Sequence, residues 1–150
     1  MTIRYAKEID IEQIIELCEA HALYEKTDFE KGNKKEALFE HLFGAQKSLQ
    51  CLVVEQNNKL QGYATFMKQF STWDAEFYIY LDCLYLKDAT RGKGIGKQIM
   101  SIIYKHAIAE KCSIVQWQTP NFNTGAIHFY KKIGATSKSK ERFFWSTYKN

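Results

Sequence analysis

Apolar residues repeat every three or four positions in some segments of the chain and form continuous or alternating runs in others. The first pattern predicts helices and the second predicts strands. The predicted helices cover residues 10–22, 34–43, 96–110 and 124–132. The predicted strands cover residues 3–6, 49–55, 61–69, 77–86, 113–119 and 142–149. This order of elements predicts an α/β fold around a sheet of mixed direction.

Local signals mark several ends of these elements. Asp10 and Gln13 have the spacing of a capping box at the start of the first helix. The pair Asn57-Asn58 separates two strand-like runs and predicts a tight hairpin. Asn123 is a suitable N-cap for the last helix, and Gly134 stands where a helix of that length should end.

Composition and charge predict one domain over residues 1–150. A chain of this length buries about 70% of its unfolded surface, and no linker or repeat divides it. No apolar run is long enough for a membrane span, and the N-terminus lacks the apolar core of a signal peptide, so we expect a cytoplasmic protein that is not bound to a membrane. The net charge of +4 is spread along the chain, which argues against a nucleic-acid partner.

The segment Arg91-Gly92-Lys93-Gly94-Ile95-Gly96 carries the clearest chemical signal, because it lies between a predicted strand and a predicted helix. Its glycines have no Cβ to keep a bulky anion away from the backbone. The first N–H groups of the next helix lack partners within that helix, and the helix dipole is positive there. The segment therefore predicts a loop that binds a phosphate group.

Two other phosphate-binding motifs are excluded, one by a single residue and the other by two. A dinucleotide fingerprint needs glycine at position 97, where Lys97 stands. A P-loop needs glycine at position 91 and Ser or Thr at position 98, where Arg91 and Gln98 stand. An ordinary flexible turn remains the alternative for the loop taken alone.

Two segments together resemble a known family. Arg-x-x-Gly-x-Gly at residues 91–96 resembles the acetyl-CoA-binding motif of the GNAT acetyltransferase superfamily, and residues 123–135 resemble its Asn-(six residues)-Tyr signature. The resemblance implies a mixed, mostly antiparallel sheet of six to seven strands flanked by about four helices. It implies acetyl-CoA as co-substrate and no metal. The implied cofactor-binding residues are Leu84, Tyr85, Leu86, Arg91, Gly92, Lys93, Gly94, Ile95, Gly96, Lys97, Asn123, Ala126 and Tyr130.

Further segments resemble the diamine (spermidine/spermine) acetyltransferase branch of that superfamily, which implies a homodimer and a small amine as acceptor. The implied acceptor-binding residues are Tyr24, Glu25, Trp73, Asp82 and Cys83. The branch commonly carries two acidic residues in succession, whereas here Asp82 is followed by Cys83. One missing carboxylate makes lysine-like or thialysine-like amines as plausible as polyamines.

The resemblance assigns two catalytic residues. Tyr130 would protonate the leaving thiolate, and Asp82, with Glu25 as the other candidate, would bind the ammonium and accept its proton. A non-catalytic acetyl-CoA-binding regulatory module remains a second hypothesis, and an enzyme acting on protein lysine or an N-terminus is a third.

The four cysteines form no C-x-x-C pair, which predicts neither a metal site nor a disulfide framework. Cys18 and Cys51 fall at predicted core positions. Cys83 lies next to the expected acceptor site, so a covalent acetyl-cysteine is an alternative mechanism, although the sequence indicates no histidine close to it.

Overall fold

The computed structural model describes residues 1–148, and over these residues it shows a mixed α/β fold. The strands are β1 (Thr2–Tyr5), β2 (Gln50–Gln56), β3 (Lys59–Ser71), β4 (Glu76–Leu86) and β5 (Val115–Gln116). The α-helices are α1 (Ile11–Tyr24), α2 (Lys34–Phe43), α3 (Ile95–Ala109) and α4 (Thr124–Lys132). Short 3₁₀ turns cover Glu8–Asp10 and Asp88–Thr90.

The strands form one sheet in the order β1-β2-β3-β4-β5. The first four are antiparallel neighbours, and β5 runs parallel to β4. The hairpin between β2 and β3 is confirmed: Gln56 pairs with Lys59, and Asn57 and Asn58 have φ of 52° and 60°. Two left-handed residues in a two-residue loop match the twist of the flanking strands.

The sheet has a hydrophobic layer on each face. On one face α1 and α2 pack through Ile14, Leu17 and Leu42 against Val53 and Tyr63. On the other face the ring of Phe66 in β3 meets His106 of α3 edge to face at 5.1 Å, which agrees with the prediction of a histidine at the core edge. Each fully buried side chain of this kind contributes roughly 1.5–3 kcal/mol.

The sheet has five strands over the described residues, fewer than the six to seven expected. The predicted strand at residues 142–149 is wrong over residues 142–148, and residue 149 lies outside the described residues. Phe143, Phe144 and Trp145 are exposed there, so the aromatic pattern is present but no neighbouring strand pairs with it. A strand without a partner leaves its backbone groups unpaired, so the pattern alone does not produce one.

The predicted capping box at Asp10 is also wrong, because this carboxylate has stronger partners. Asp10 accepts hydrogen bonds from both terminal nitrogens of Arg4, at 2.8 and 2.9 Å, and from the backbone N–H of Lys7 at 2.7 Å. Gln13 instead accepts from the backbone N–H of Leu60 at 2.9 Å. Both residues therefore connect α1 and the turn before it to the sheet.

The backbone divides into two units, Met1–Gln118 and a second unit from Thr119 onward. The first contains the sheet and α1 to α3, and the second contains α4. The assignment of residues 1–150 to one domain stays a prediction. Among the described residues, no helix has both the length and the apolar character needed to cross a membrane.

Candidate active site

A β-bulge at Asp82 interrupts the pairing of β4 with β3. Leu81 pairs with Phe66 and Cys83 pairs with Thr65, so Asp82 has no opposite residue. The extra residue shifts the alternation of the strand, and Cys83 and Tyr85 consequently lie on the same face as Tyr63, towards α1. The exposed side chain of Asp82 is left at the point where the strand bends.

The glycine loop follows β4 and ends in the first turn of α3, as predicted. Gly92 and Gly94 have φ of 74° and 78°, the left-handed conformation that glycine adopts without a steric penalty. A Cβ added at either position would meet no protein atom within 4 Å. The loop therefore presents open backbone at the positive end of a 15-residue helix. The exposed Lys93 and Lys97 add positive charge beside it.

The side chain of Arg91 connects this loop to the end of β4. Its Nε donates to the carbonyl oxygen of Leu86 at 2.8 Å, and its Nη1 pairs with Asp88 at 2.8 Å. Its guanidinium also stacks over the ring of Tyr24, at 4.3 Å from the ring centroid. Arg91, which was predicted to bind a phosphate group, is therefore held by contacts within the protein. Through its stacking on Tyr24, it also places the end of α1 against the loop.

His21 of α1 is the centre of a hydrogen-bonded group that the sequence reasoning missed. Its Nδ1 lies 2.8 Å from the hydroxyl of Tyr63, and its Nε2 pairs with the carboxylate of Glu25. Its ring stacks on Tyr85 at 5.2 Å between centroids, with 18° between the planes. The only local signal in the sequence is the i, i+4 spacing of His21 and Glu25.

The surroundings of His21 shift three ionisation equilibria. The pKa of His21 is lowered, chiefly by burial and also by the positive charge of Arg91. The negative charges of Glu25 and Asp82 oppose this shift, because they raise the pKa. Burial raises the pKa of the Tyr63 hydroxyl well above its usual range. Burial, helped by the negative charge of Asp82, raises the pKa of the Cys83 thiol to about 12.

These shifts bear directly on the covalent alternative at Cys83. With a pKa of about 12, only roughly one thiol in 10⁵ is ionised at neutral pH. A histidine does lie nearby, contrary to what the sequence indicated, but its Nδ1 faces the Tyr63 hydroxyl. The thiol of Cys83 donates to Oδ2 of Asp82 at 3.9 Å, and the hydroxyls of Tyr63 and Thr65 also interact with it. Cys83 is therefore a neutral hydrogen-bonding group in this site.

The other predicted acceptor residues divide into two sets. Glu25 pairs with His21, and the charge of Asp82 acts on the same imidazole. Trp73 is 96% exposed in the turn between β3 and β4. Asp82 lies six positions after Glu76, at the start of β4, which corresponds to about 20 Å along an extended strand. A small amine bound at Asp82 does not span that distance within one chain.

The second unit contains the Asn-(six residues)-Tyr segment. The Oδ1 of Asn123 accepts from the backbone N–H of Ala126 at 3.3 Å, so the predicted N-cap of α4 is confirmed. Tyr130 is half-buried beside the ring of Phe129, with 5.3 Å between centroids. Gly134 has φ of 104° and follows the end of the helix, as predicted.

Across residues 1–148 there is no group of three or more His, Cys, Asp or Glu side chains arranged to hold a metal ion. All four cysteines are free thiols.

The sequence matches known acetyltransferases, and the fold matches solved structures. The acetyltransferase (GNAT) family model matches residues 11–135. A thialysine N-epsilon-acetyltransferase from Sus scrofa is 33% identical over 141 residues, covering 89% of this chain and 82% of the relative. A transcriptional regulator from Bacillus halodurans C-125 has the same fold, with a TM-score of 0.82 and 21% identity over 97% of this chain and 99% of the other. AAC(6')-Iy, in complex with the bisubstrate analogue CoA-S-monomethyl-acetylneamine, gives a TM-score of 0.80 at 15% identity, covering 97% of each chain.

Proposed function

Because the chain belongs to the acetyltransferase (GNAT) family, we propose that it transfers the acetyl group of acetyl-CoA to the primary amine of a small cationic acceptor. Its family membership makes the chain an N-acetyltransferase. Our proposal concerns the acetyl donor, the acceptor and the role of each residue. We propose direct attack of the amine on the thioester in a ternary complex. The observation that carries the proposal is the group formed by His21 and Glu25 near Asp82, which meets the glycine loop at Tyr85: the His21 ring stacks on Tyr85, and the guanidinium of Arg91 lies 5.6 Å from the same ring.

The donor side of the proposal rests on the loop and the end of β4. The backbone of Gly92, Gly94 and the first turn of α3 is open and lies at a positive helix end, which suits the pyrophosphate of acetyl-CoA. Family resemblance adds Leu84, Tyr85 and Leu86 as backbone partners of the pantetheine arm. In this proposal a backbone N–H near Leu84 polarises the thioester carbonyl.

The acceptor side rests on charge. Asp82 is exposed and Glu25 is partly exposed, so both carboxylates are available to an ammonium group. The nearby guanidinium of Arg91 is already paired with Asp88. A primary amine must then lose a proton before it attacks, which costs about 4.6 kcal/mol at neutral pH for a free pKa near 10.4. A carboxylate-rich site next to a proton acceptor supports that step.

The leaving group needs a proton donor, and the resemblance assigns this role to Tyr130. Full proton transfer from an ordinary tyrosine to a thiolate is uphill by roughly 2 kcal/mol, so a strong hydrogen bond in the transition state is sufficient. The neutral state of the Cys83 thiol supports direct transfer over a route through acetyl-cysteine.

We propose a lysine-like or thialysine-like amine as acceptor ahead of a polyamine. Asp82 is followed by a neutral thiol, so the strand offers one carboxylate and not two. The similarity over most of the chain to a thialysine N-epsilon-acetyltransferase supports the same class. The resemblance to the diamine branch also leads us to propose a homodimer, which light scattering would test.

The test is an assay of free thiol release from acetyl-CoA with a panel of lysine analogues, diamines, polyamines, aminoglycosides and a peptide lysine. We expect turnover with small primary amines, and a lower kcat/KM for every cationic acceptor in Asp82→Asn, whose exposed side chain can be changed without disturbing the fold. A folded protein that binds acetyl-CoA in calorimetry yet acetylates no member of the panel would support the regulatory module instead. Preferential turnover of the peptide would support an enzyme acting on protein.

A further inference from the structure

We propose that His21 stores the proton that the acceptor amine loses, and that Tyr63 passes this proton to it. This inference rests on the proposed function, since it names the proton acceptor of that reaction. The two residues concerned, His21 on α1 and Tyr63 on β3, lie close to the carboxylates of Glu25 and Asp82 and are more deeply buried than they are.

The hydrogen bonds fix the state of the imidazole. The carboxylate of Glu25 pairs with Nε2, so in the neutral ring Nε2 carries the proton and donates it to Glu25. The lone pair on Nδ1 is then left to face Tyr63, whose hydroxyl lies 2.8 Å away and donates to it. A carboxylate on one ring nitrogen and a hydroxyl on the other is the arrangement in which an imidazole acts as a base.

Tyr63 extends the path towards the acceptor. Its side chain is 2% exposed, and its hydroxyl also interacts with the thiol of Cys83, the residue after Asp82 in the bulge. The Cys83 thiol in turn donates to Oδ2 of Asp82 at 3.9 Å, so the Tyr63 hydroxyl is linked to His21 on one side and, through this thiol, to the carboxylate expected to hold the ammonium on the other. Burial raises the pKa of Tyr63, so it does not remain ionised and serves only as a relay.

The transfer balances in two linked steps. The Tyr63 O–H bond breaks as its proton forms a new bond to Nδ1 of His21, and Tyr63 takes a proton from the acceptor ammonium, directly or through one water. The products are a neutral amine, an unchanged tyrosine and an imidazolium. Glu25 stabilises the imidazolium through the Nε2 proton, and Asp82 adds favourable charge.

An imidazole suits this role better than a carboxylate alone. An ordinary carboxylic acid is about six pKa units more acidic than a primary ammonium, whereas an imidazolium is about four units more acidic. At these ordinary values the imidazole takes up the proton with less uphill cost. Burial lowers the pKa of His21, which reduces this advantage but favours release of the proton before the next cycle. His21 acts through Tyr63 and does not itself contact the acceptor.

The pH profile supplies a readout that a purely structural role would not change. The neutral imidazole is the active form, so activity should fall as pH decreases through the pKa of His21, which lies below the ordinary value near 6.5. The charged groups that act on this pKa are Glu25 on α1 and Asp82 on β4, which raise it, and Arg91 after β4, which lowers it. The other ionisable groups close to the ring are Tyr63 and Tyr85, which contact it, and Cys18 and Cys83, which interact with the Tyr63 hydroxyl.

The experiment compares His21→Gln with His106→Gln. His106 is the matched control, because it is also a half-buried helix histidine against an aromatic ring, Phe66, on the opposite face of the sheet. We expect His21→Gln to lower kcat on the best acceptor by about 10²-fold and to abolish the acid limb of the pH profile, with acetyl-CoA affinity unchanged. His106→Gln should retain both the turnover and the limb.

Two further variants keep the proposal testable if His21→Gln folds poorly. Tyr63→Phe removes only the relay hydroxyl, and should lower kcat to a similar extent. In His21→Ala, added imidazole should restore part of the lost turnover. Wild-type turnover and an intact acid limb in a folded His21 or Tyr63 variant would overturn the inference while leaving the proposed function in place. Failure of the wild type to acetylate any amine would instead refute the proposed function.

Discussion

Replacing Gly94 with alanine separates the structural role of the glycine loop from its proposed role in binding acetyl-CoA. Gly94 precedes α3 with φ of 78°, and a Cβ added there would meet no protein atom within 4 Å. The protein itself therefore has room for the methyl group. Only the backbone conformation should oppose it, at about 1–2 kcal/mol for a left-handed non-glycine residue. For a chain of this size that corresponds to a fall in Tm of about 2–8 °C.

Two other glycines provide matched controls for this change. Gly134 also has a positive φ, 104°, and also has open space where a Cβ would stand, but it lies after α4. Gly125 has open space within α4 and no positive φ. Gly134→Ala should therefore lower stability about as much as Gly94→Ala, while Gly125→Ala should stabilise by about 0.5–1 kcal/mol.

Calorimetric titration with acetyl-CoA then isolates the role of the loop. If the pyrophosphate lies against the backbone of Gly94, the added methyl group occupies its place, and affinity should fall tenfold or more, equivalent to at least about 1.4 kcal/mol. The two control variants should bind as the wild type does. Equal affinity in Gly94→Ala and Gly134→Ala, with both folded at the temperature used, would refute the assignment of the loop to the phosphates.

Three other changes test separate parts of the molecule. Tyr130→Phe should lower kcat on the order of 10²-fold without weakening acetyl-CoA binding; wild-type turnover in single-turnover kinetics would contradict its role as acid. Cys83→Asp should raise kcat/KM for spermidine relative to a mono-amine roughly 5- to 100-fold, and an unchanged ratio in the folded variant would mean that residue 83 does not face the acceptor. Asp10→Asn should cost about 2–3 kcal/mol of the free energy of unfolding, because it leaves the partly buried Arg4 with one carboxylate. The hydrogen bonds from Arg4 hold the pKa of Asp10 below its ordinary value, so this contribution is complete above about pH 4 and is lost as pH falls further. Urea unfolding of the variant should show a weaker pH dependence there; the same dependence as in the wild type would exclude Asp10 as its source.

Elements with strong local signals could be predicted from the sequence. The helices at Lys34–Phe43 and Thr124–Lys132 have the predicted bounds, and the Asn57-Asn58 turn forms as expected. In these cases the apolar period, the cap and the turn residues all lie within a few positions of one another. The glycine loop belongs to the same group, since a strand, three glycines and a helix follow in direct succession.

The site required information that is not local. Nothing in the order of residues around Asp82 indicates that β4 takes an extra residue there, because a bulge is defined by the partner strand. The contact between His21 and Tyr63 joins residues 42 positions apart. The aromatic run at residues 142–148 shows the converse: a strand-like pattern does not form a strand when no edge pairs with it.

The bulge also explains why residue 83 should influence the choice of acceptor. By shifting the strand alternation, it turns Cys83 towards Tyr63 and Thr65 on the half-buried face, while Asp82 remains exposed. The raised pKa of the thiol shows that this position disfavours a negative charge. An aspartate at residue 83 would therefore be stabilised chiefly when a second ammonium pairs with it. A diamine brings that second charge and a mono-amine does not, so the wild-type thiol should favour acceptors with a single ammonium near Asp82.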